Sequence, residues 1–295
     1  MQNQTLTLWR TLLFIPANNA RFVAKAHTRG ADGIILDLED SIAPDQKSHA
    51  RQGLAAAAQQ VSKNGSAVLV RINAESWQED IDAACTQAVS ALVIPKVNEA
   101  SSLVNAAQLL DQLESERNLP LGAIRLLAQI EDVQALPQLD AIASSTPRLL
   151  GMSLGSEDFS ASAGMLPMPE TLYHPNQQVA FACRRAGILP FGFPASITLF
   201  NDLEALSIAA NQAANMGFVG AFCIHPNQVA VLNQALTPSA GALADARALL
   251  DEFSQAQQRG QAVFAFKGKM VDLPVIIRAR ELVARAQAIA GKNLA

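Results

Sequence analysis

"GIILDLED", residues 33–40, poses the question that decides the fold. An apolar run leads into Asp37, and Glu39 and Asp40 follow at once. A buried strand that ends in three carboxylates is electrostatically costly unless positive charge faces it. The same kind of run recurs along the chain: "TLLFIPA" (11–17), "AVLVRIN" (67–73), "ALVIPKV" (91–97), "RLLAQIE" (125–131), "LLGMSLG" (149–155), "LPFGFPA" (189–195) and "GAFCIHP" (220–226). Most of these are apolar on both faces, which is how parallel strands covered by helices read. Between them lie segments such as "NNARFVAKAHTRGA" and "NEASSLVNAAQLLDQLESE", with helical spacing, many alanines and breakers near their ends. Repeated βα units over about 250 residues predict an α/β fold, a closed (β/α)8 TIM barrel. An open doubly wound sheet is the alternative. It has no reason to stop at eight strands, and no G-x-G-x-x-G follows the first one.

The pattern changes after residue 236. "ADARALLDEFSQAQQRG" reads as a helix ended by Gly260, "QAVFAFKGKMVDLP" as a short extended piece, and "PVIIRARELVARAQAIAG" as a last helix with Pro274 in its first turn and Gly291 after it. We therefore expect a barrel domain over 1–236. A C-terminal helical extension over 237–295 would pack on the barrel or on a neighbouring subunit.

Composition narrows the function. Half of the 295 residues are hydrophobic and 16% are charged, ordinary for a globular chain with a sizeable core. A net charge of −4 gives no reason to expect nucleic acid or an anionic membrane as partner. Cys85, Cys183 and Cys223 are far apart and show no metal or redox spacing, as expected of small core residues in a reducing cytoplasm. "MQNQTLTLWR" carries no basic-then-apolar signal pattern, and no apolar run reaches about 18 residues.

Barrel active sites lie at the C-terminal ends of the strands. Those ends carry Asn18, then Asp37, Glu39 and Asp40, then Arg71 and Asn73, then Lys96, Glu131, Glu157 with Asp158, Ser196 and His225. Unpaired buried carboxylates would take up protons, whereas a divalent cation would hold them ionised. Oxygen ligands without a Cys or His cluster favour Mg²⁺ over zinc. The "DLED" acids could face such an ion directly or through its water shell. A Schiff-base lysine is the other route to aldol chemistry, and Lys96 is the lysine at a strand end. His225, before a proline, reads more simply as a loop hydrogen-bonding group, and Gly151–Gly155 as either an oxyanion-binding turn or a plain tight turn.

The segments "RTLLFIPANNARFVAKA", "GADGIILDLEDSIAPDQKSHAR", "VLVRIN", "LVIPKV", "QIEDVQAL", "GSEDF", "GFVGAFCIHPNQV" and "GKMVDLPVIIRAREL" stand in one order from about residue 10 to 285. Together they resemble the HpcH/HpaI aldolase and citrate lyase β-subunit superfamily, most of all its CoA-ester lyase branch. The resemblance implies a Mg²⁺-dependent barrel that cleaves or forms a carbon–carbon bond in a 3-hydroxyacyl thioester such as citramalyl-CoA or malyl-CoA, releasing acetyl-CoA and an α-keto acid. It implies Glu131 and Asp158 as metal carboxylates, Arg71 as the clamp on the substrate carboxylate, and Asp272 as the acid/base group. Arg21 and Lys25 fall where basic residues meet CoA phosphates. Lys96 would contact substrate, and Asp37, Glu39 and Asp40 would back the site from behind. A trimer or hexamer is the family habit. Two departures, Asn176 where many relatives carry arginine and "GFPASITLFND" after the seventh run, bear on the acyl group. A citryl-thioester lyase subunit, thioester hydrolysis on the same site, and a CoA-binding scaffold without catalysis are the competing readings.

Overall fold

A computed structural model describes residues 9–260 and 263–292. These fall into two compact units, 9–236 and 237–292. In the first, strands and helices alternate: β1 (Thr11–Pro16), α1 (Ala20–Ala26), β2 (Gly33–Asp37), α2 (Lys47–Val61), β3 (Ala67–Arg71), α3 (Trp77–Ala84), β4 (Ala91–Ile94), α4 (Ala100–Glu116), β5 (Arg125–Ile130), α5 (Leu139–Ala143), β6 (Leu149–Leu154), α6 (Ser156–Ser162), α7 (Pro169–Ala186), β7 (Leu189–Phe191), α8 (Leu203–Met216), β8 (Ala221–Cys223) and α9 (Pro226–Ala235). Every quoted run carries a strand. The eight pair in the order β7-β6-β5-β4-β3-β2-β1-β8, all parallel. The seam between β7 and β8 is held by the bridge Phe191–Gly220, with Gly192 N–H donating to Gly220 O at 2.9 Å and Val219 N–H to Pro190 O at 3.0 Å. The sheet is thus a nearly closed (β/α)8 barrel, as expected.

Period-two alternation sorts the strand residues into two cores. One parity, Leu12, Ile35, Leu69, Val93, Leu127, Phe191 and Phe222, fills the barrel interior. The other, including Leu13, Ile34, Leu36, Val68, Val70 and Leu126, packs outward against the helices. Small residues make this filling possible. A Cβ on Gly151 would come within 2.2 Å of Leu189 O and 2.8 Å of the Phe191 ring. Followed upward, the interior parity runs from Ile35 to Asp37, from Leu69 to Arg71, and from Leu127 through Gln129 to Glu131. The polar rim is therefore the last layer of the same ladder that builds the core.

The strands stop slightly earlier than the apolar runs suggest. β7 ends at Phe191, so Pro194 and Ser196 belong to the following loop. Gly192, just past it, sits at φ +131°, a backbone setting that L residues rarely adopt. Between β5 and β6 the register shifts at Leu126/Leu127, a bulge that sets Gln129 opposite Ser153.

The second unit holds α10 (Ala240–Gln258), the antiparallel hairpin β9 (Phe264–Phe266) and β10 (Lys269–Val271), and α11 (Leu273–Lys292). It has its own small core of Ala246, Leu249, Val271, Ile276 and Ala279. Gly260 at φ +69° follows α10, as expected, but α11 continues through Gly291. Gln261 and Ala262, the start of the extended piece, and residues 1–8 lie outside the described residues. Among the described residues no helix is long and apolar enough to cross a membrane. Cys85, Cys183 and Cys223 are buried and free, and burial pushes the Cys183 thiol up to about 12.

Candidate active site

A cavity of about 630 Å³ opens at the C-terminal end of the barrel strands. Asp37, Asp40, Arg71, Gln129, Glu131, Ser153, Glu157 and Asp158 supply its polar lining, and Phe14, Phe22, Leu154, Phe193, Ile197 and Phe222 its apolar wall. The size and the mixture suit a small ligand held by a few convergent polar groups.

Asp37 and Arg71 close β2 and β3 as register partners, so their side chains meet directly. Arg71 Nε donates to Asp37 Oδ1 at 2.7 Å and Nη2 to Oδ2 at 2.8 Å. Asp37 also accepts the backbone N–H of Glu39 and of Ser41, which curls the "DLED" turn around it. Burial pushes the Asp37 carboxyl up, but the Arg71 hydrogen bonds and charge outweigh it and leave it below its usual value. Nη1 of Arg71 is 3.1 Å from both Glu39 Oε2 and the exposed Asp40 Oδ2, and the guanidinium carbon stacks 4.8 Å from the Phe14 ring centroid. Burial alone would loosen the guanidinium proton, but the three acids reverse this and hold Arg71 firmly cationic. Asn73, buried just past β3, pins the turn by donating to Leu38 O at 2.7 Å. The charge demanded by "GIILDLED" is thus in large part Arg71.

Glu39 lies between Arg71 and Lys96, with Oε1 3.1 Å from Lys96 Nζ. These ion pairs are close, yet neither Glu39 oxygen has an aligned hydrogen bond. Burial, only partly opposed by Arg71, raises its carboxyl. Lys96 holds a left-handed backbone at φ +52°, a setting of small strain that persists where surroundings enforce it. Its N–H donates to Glu131 Oε2 at 2.9 Å. Its side chain is half exposed, and the close contact with Glu39 and that group's negative charge raise its ammonium, the reverse of what a Schiff-base lysine needs.

Glu131 follows β5 and is only 5% exposed. Burial, and then the negative charges of Glu39 and Asp158, push its carboxyl up to about 8. Gly155, after β6, lies directly behind it: a Cβ there would come 2.6 Å from Glu131 Cγ. Asp158 is exposed in the first turn of α6 and faces the same cavity. Among the described residues, Asp37, Glu39 and Asp40 pair with Arg71 and Lys96, while Glu131, Glu157 and Asp158 share the cavity with no ion pair. Two facing carboxylates with open space around them are a donor set that suits a hard dication keeping several waters. Among the described residues no cluster of three or more His, Cys, Asp or Glu has metal-binding geometry.

Other expectations resolve simply. His225 caps α9, its ring accepting from Asn227 N–H at 3.2 Å. The Gly155 N–H donates to Ile130 O, so it offers nothing to an oxyanion. Asn176 is buried in α7, bonded to Leu172 O, and its Oδ1 faces the backbone at Gly192. Arg21 and Lys25 are exposed on α1, outside the cavity lining; Phe22, between them, reaches it. Asp272 belongs to the second unit, exposed, its carbonyl accepting the first backbone bonds of α11. Among the lining residues that the sequence did not single out, two polar ones stand out. Gln129 and Ser153 are buried side by side beneath Glu131, with Gln129 Oε1 and Ser153 Oγ lacking partners among the described residues. The position two residues before Glu131, on the same strand face, was the available signal.

Fold and site together define a barrel enzyme whose mouth pairs an anchored arginine with clustered acids. The family model for HpcH/HpaI aldolase/citrate lyase matches residues 10–226. The chain belongs to that family. It is 34% identical over 307 aligned residues to an L-malyl-CoA/beta-methylmalyl-CoA lyase of Cereibacter sphaeroides, covering 95% of each chain. It is 30% identical over 293 residues to the citrate lyase subunit beta of Leuconostoc mesenteroides subsp. cremoris, covering 98% of this chain and 96% of that one. Among solved structures, the CitE protein of Mycobacterium tuberculosis in complex with magnesium, acetoacetate and coenzyme A aligns with TM-score 0.75 at 29% identity, over 95% of this chain and 99% of that chain.

Proposed function

We propose that this chain is a Mg²⁺-dependent carbon–carbon lyase that cleaves a short 3-hydroxyacyl-CoA, of the malyl-CoA or citramalyl-CoA type, into acetyl-CoA and an α-keto acid. The observation that carries this reading is the sharing of one cavity by Glu131, Asp158 and Arg71. It agrees with the names of the relatives and with the magnesium and coenzyme A of the aligned CitE complex.

Glu131 and Asp158 would hold the ion. When bound, it supplies positive charge that polarises the keto-acid oxygen. Arg71 presents Nη1 toward the cavity and orients the keto-acid carboxylate there, the exposed Asp40 giving way. Phe14, Phe193 and Phe222 shield the reacting carbon from water. A carboxylate, which we assign to Asp272, takes the proton of the 3-hydroxyl. The bond between C2 and C3 then breaks, its electron pair passes to the thioester enolate, C2 takes back a proton to give acetyl-CoA, and the keto acid is left at Arg71. Arg21 and Lys25 offer exposed cations for the CoA phosphates. We place the protein in the cytoplasm as a trimer or hexamer.

A citryl-thioester lyase subunit is the second reading, favoured by the Leuconostoc relative. The "GKMVD" segment before α11, a mark of the CoA-ester branch in the sequence resemblance, argues for free CoA. The test is keto-acid release from malyl-CoA, citramalyl-CoA and citryl-thioester with Mg²⁺ and with EDTA. Turnover of a CoA ester that EDTA abolishes is expected. Turnover of none of them, in folded protein with Mg²⁺ supplied, would overturn the assignment in favour of a scaffold.

A further inference from the structure

The far end of the barrel holds a second cavity, about 450 Å³, formed by α4, the loop that leads into β5 and the loop between α5 and β6. Arg125 opens β5 on its wall. Its Nε donates to Arg148 O at 3.1 Å and its Nη2 to Pro147 O at 3.1 Å. Two carbonyls fix the fork but leave Nη1 uncommitted, and no carboxylate lies within ion-pair distance of Arg125 among the described residues.

The nearby acids are already engaged. Asp111 bonds Arg148 through Nε and Nη2, and Glu114 accepts from Arg148, Gly122 N–H and Ile124 N–H. Arg125 therefore feels Arg148 as a like charge without a counterion of its own. A half-buried guanidinium left so is costly, and an anion relieves the cost. A second group supports the same reading. Ser145 lines this cavity, and its Oγ, turned away from water there, has no partner among the described residues. Gln108 adds an exposed amide, and Val104, Leu121 and Pro147 add apolar wall. Asp111 shares the lining, but its bonds go to Arg148, so the open edge of the Arg125 fork keeps no carboxylate of its own.

We propose that this cavity binds a small organic anion, a carboxylate or phosphate with a short apolar body, with Arg125 Nη1 on its head group and the Ser145 hydroxyl turning to meet it. The site is separate from the mouth: β5 alone puts about 20 Å between Arg125 and Glu131. It does not depend on the proposed lyase activity.

Calorimetric titration of the full-length protein with inorganic phosphate, and separately with succinate, tests it. Saturable binding of at least one anion is expected, and a preference between the two fixes the head group. Arg125→Gln should weaken that binding by about tenfold or more, and Ser145→Ala by about threefold. Leu121 is 70% exposed, so Leu121→Asp leaves the core untouched while placing a repelling charge at the cavity. That variant should weaken binding by about tenfold as well, and it decides the matter if Arg125→Gln fails to fold. The same binding should persist in Arg71→Lys protein. Absence of binding for both anions, isotherms unchanged by Leu121→Asp, or loss of binding in Arg71→Lys protein would each overturn the proposal.

Discussion

Arg71 spends Nε and Nη2 on Asp37, at 2.7 and 2.8 Å, and turns Nη1 to Glu39 and the exposed Asp40, each 3.1 Å away. This fixes the guanidinium plane before any ligand arrives. Lysine cannot reproduce that plane. Arg71→Lys should therefore reduce kcat/KM by about a hundredfold while Mg²⁺ affinity changes little. Asp37→Asn removes a buried partner and should cost about 3 kcal/mol of stability as well as activity. The sign of the pH dependence follows from the lowered Asp37 carboxyl. Its stabilisation is present above the ordinary carboxylate range and is lost as the pH falls through its depressed folded value. Acid unfolding of the wild type should thus be steeper than that of Asp37→Asn, read by circular dichroism. Equal acid profiles would show that the pair contributes nothing.

Glu131 behaves in the opposite sense. Its folded value is raised to about 8, so the neutral form stabilises the fold below the ordinary carboxylate value of 4.5 and that advantage disappears as the pH rises through about 8. In EDTA the wild type should lose stability between those limits, on the order of a few kcal/mol, and Glu131→Gln should flatten the curve. Because a cation must displace the proton, Mg²⁺ affinity should rise with pH up to about 8. Thermal melts with and without Mg²⁺ across that range measure both. A wild-type Tm that ignores Mg²⁺ at pH 8 removes Glu131 as a ligand. Glu131→Gln should also lack Mg²⁺-dependent turnover.

Gly155 tests the same site from behind. Its φ of −79° is open to any residue, so only space argues for glycine. Gly155→Ala drives a methyl to 2.6 Å from Glu131 Cγ and 3.0 Å from Oε1. The Glu131 side chain must shift or the strand must give. Mg²⁺ affinity should fall by about tenfold or more, with a stability cost of about 1 to 3 kcal/mol. Gly53, exposed on α2 with nothing within 4 Å of a built Cβ, is the control: Gly53→Ala should leave affinity unchanged. Isothermal titration with Mg²⁺ reads the difference.

The barrel was legible because one physical pattern carried it: strands buried on both faces leave uninterrupted apolar runs, and every such run became a strand. Rim acids were legible for a related reason, since they end those runs. What Arg71 and Lys96 pair with was less so. The sequence allowed Arg71 to face a ligand or the "DLED" acids, and the Asp37–Arg71 register that makes it face Asp37 is a non-local property. Gln129 and Ser153 hid within apolar-looking strands, and only the bulge at Leu126/Leu127 sets them side by side. The missing counterion of Arg125 was unreadable for the same reason: nothing local says that Asp111 and Glu114 go to Arg148 instead.

Asp272 separates chemistry from architecture. It stands between β10 and α11, exposed, and its carbonyl accepts from Val275 and Ile276 N–H. Those backbone bonds survive any side-chain change, so the helix start does not by itself require a carboxylate. Its carboxylate makes no hydrogen bond or ion pair among the described residues, which leaves it available to a proton. If it serves the reaction, Asp272→Asn should keep the α11 start and lower kcat by about a hundredfold or more with little change in thioester affinity. If it serves only as a helix cap, Asn, an equally good capping residue, should leave kcat intact, while Asp272→Ala should lower Tm with a cost of about 1 kcal/mol. Steady-state kinetics and melts on both variants distinguish the two roles, since general acid/base work fails in Asn and Ala alike whereas capping fails in Ala alone.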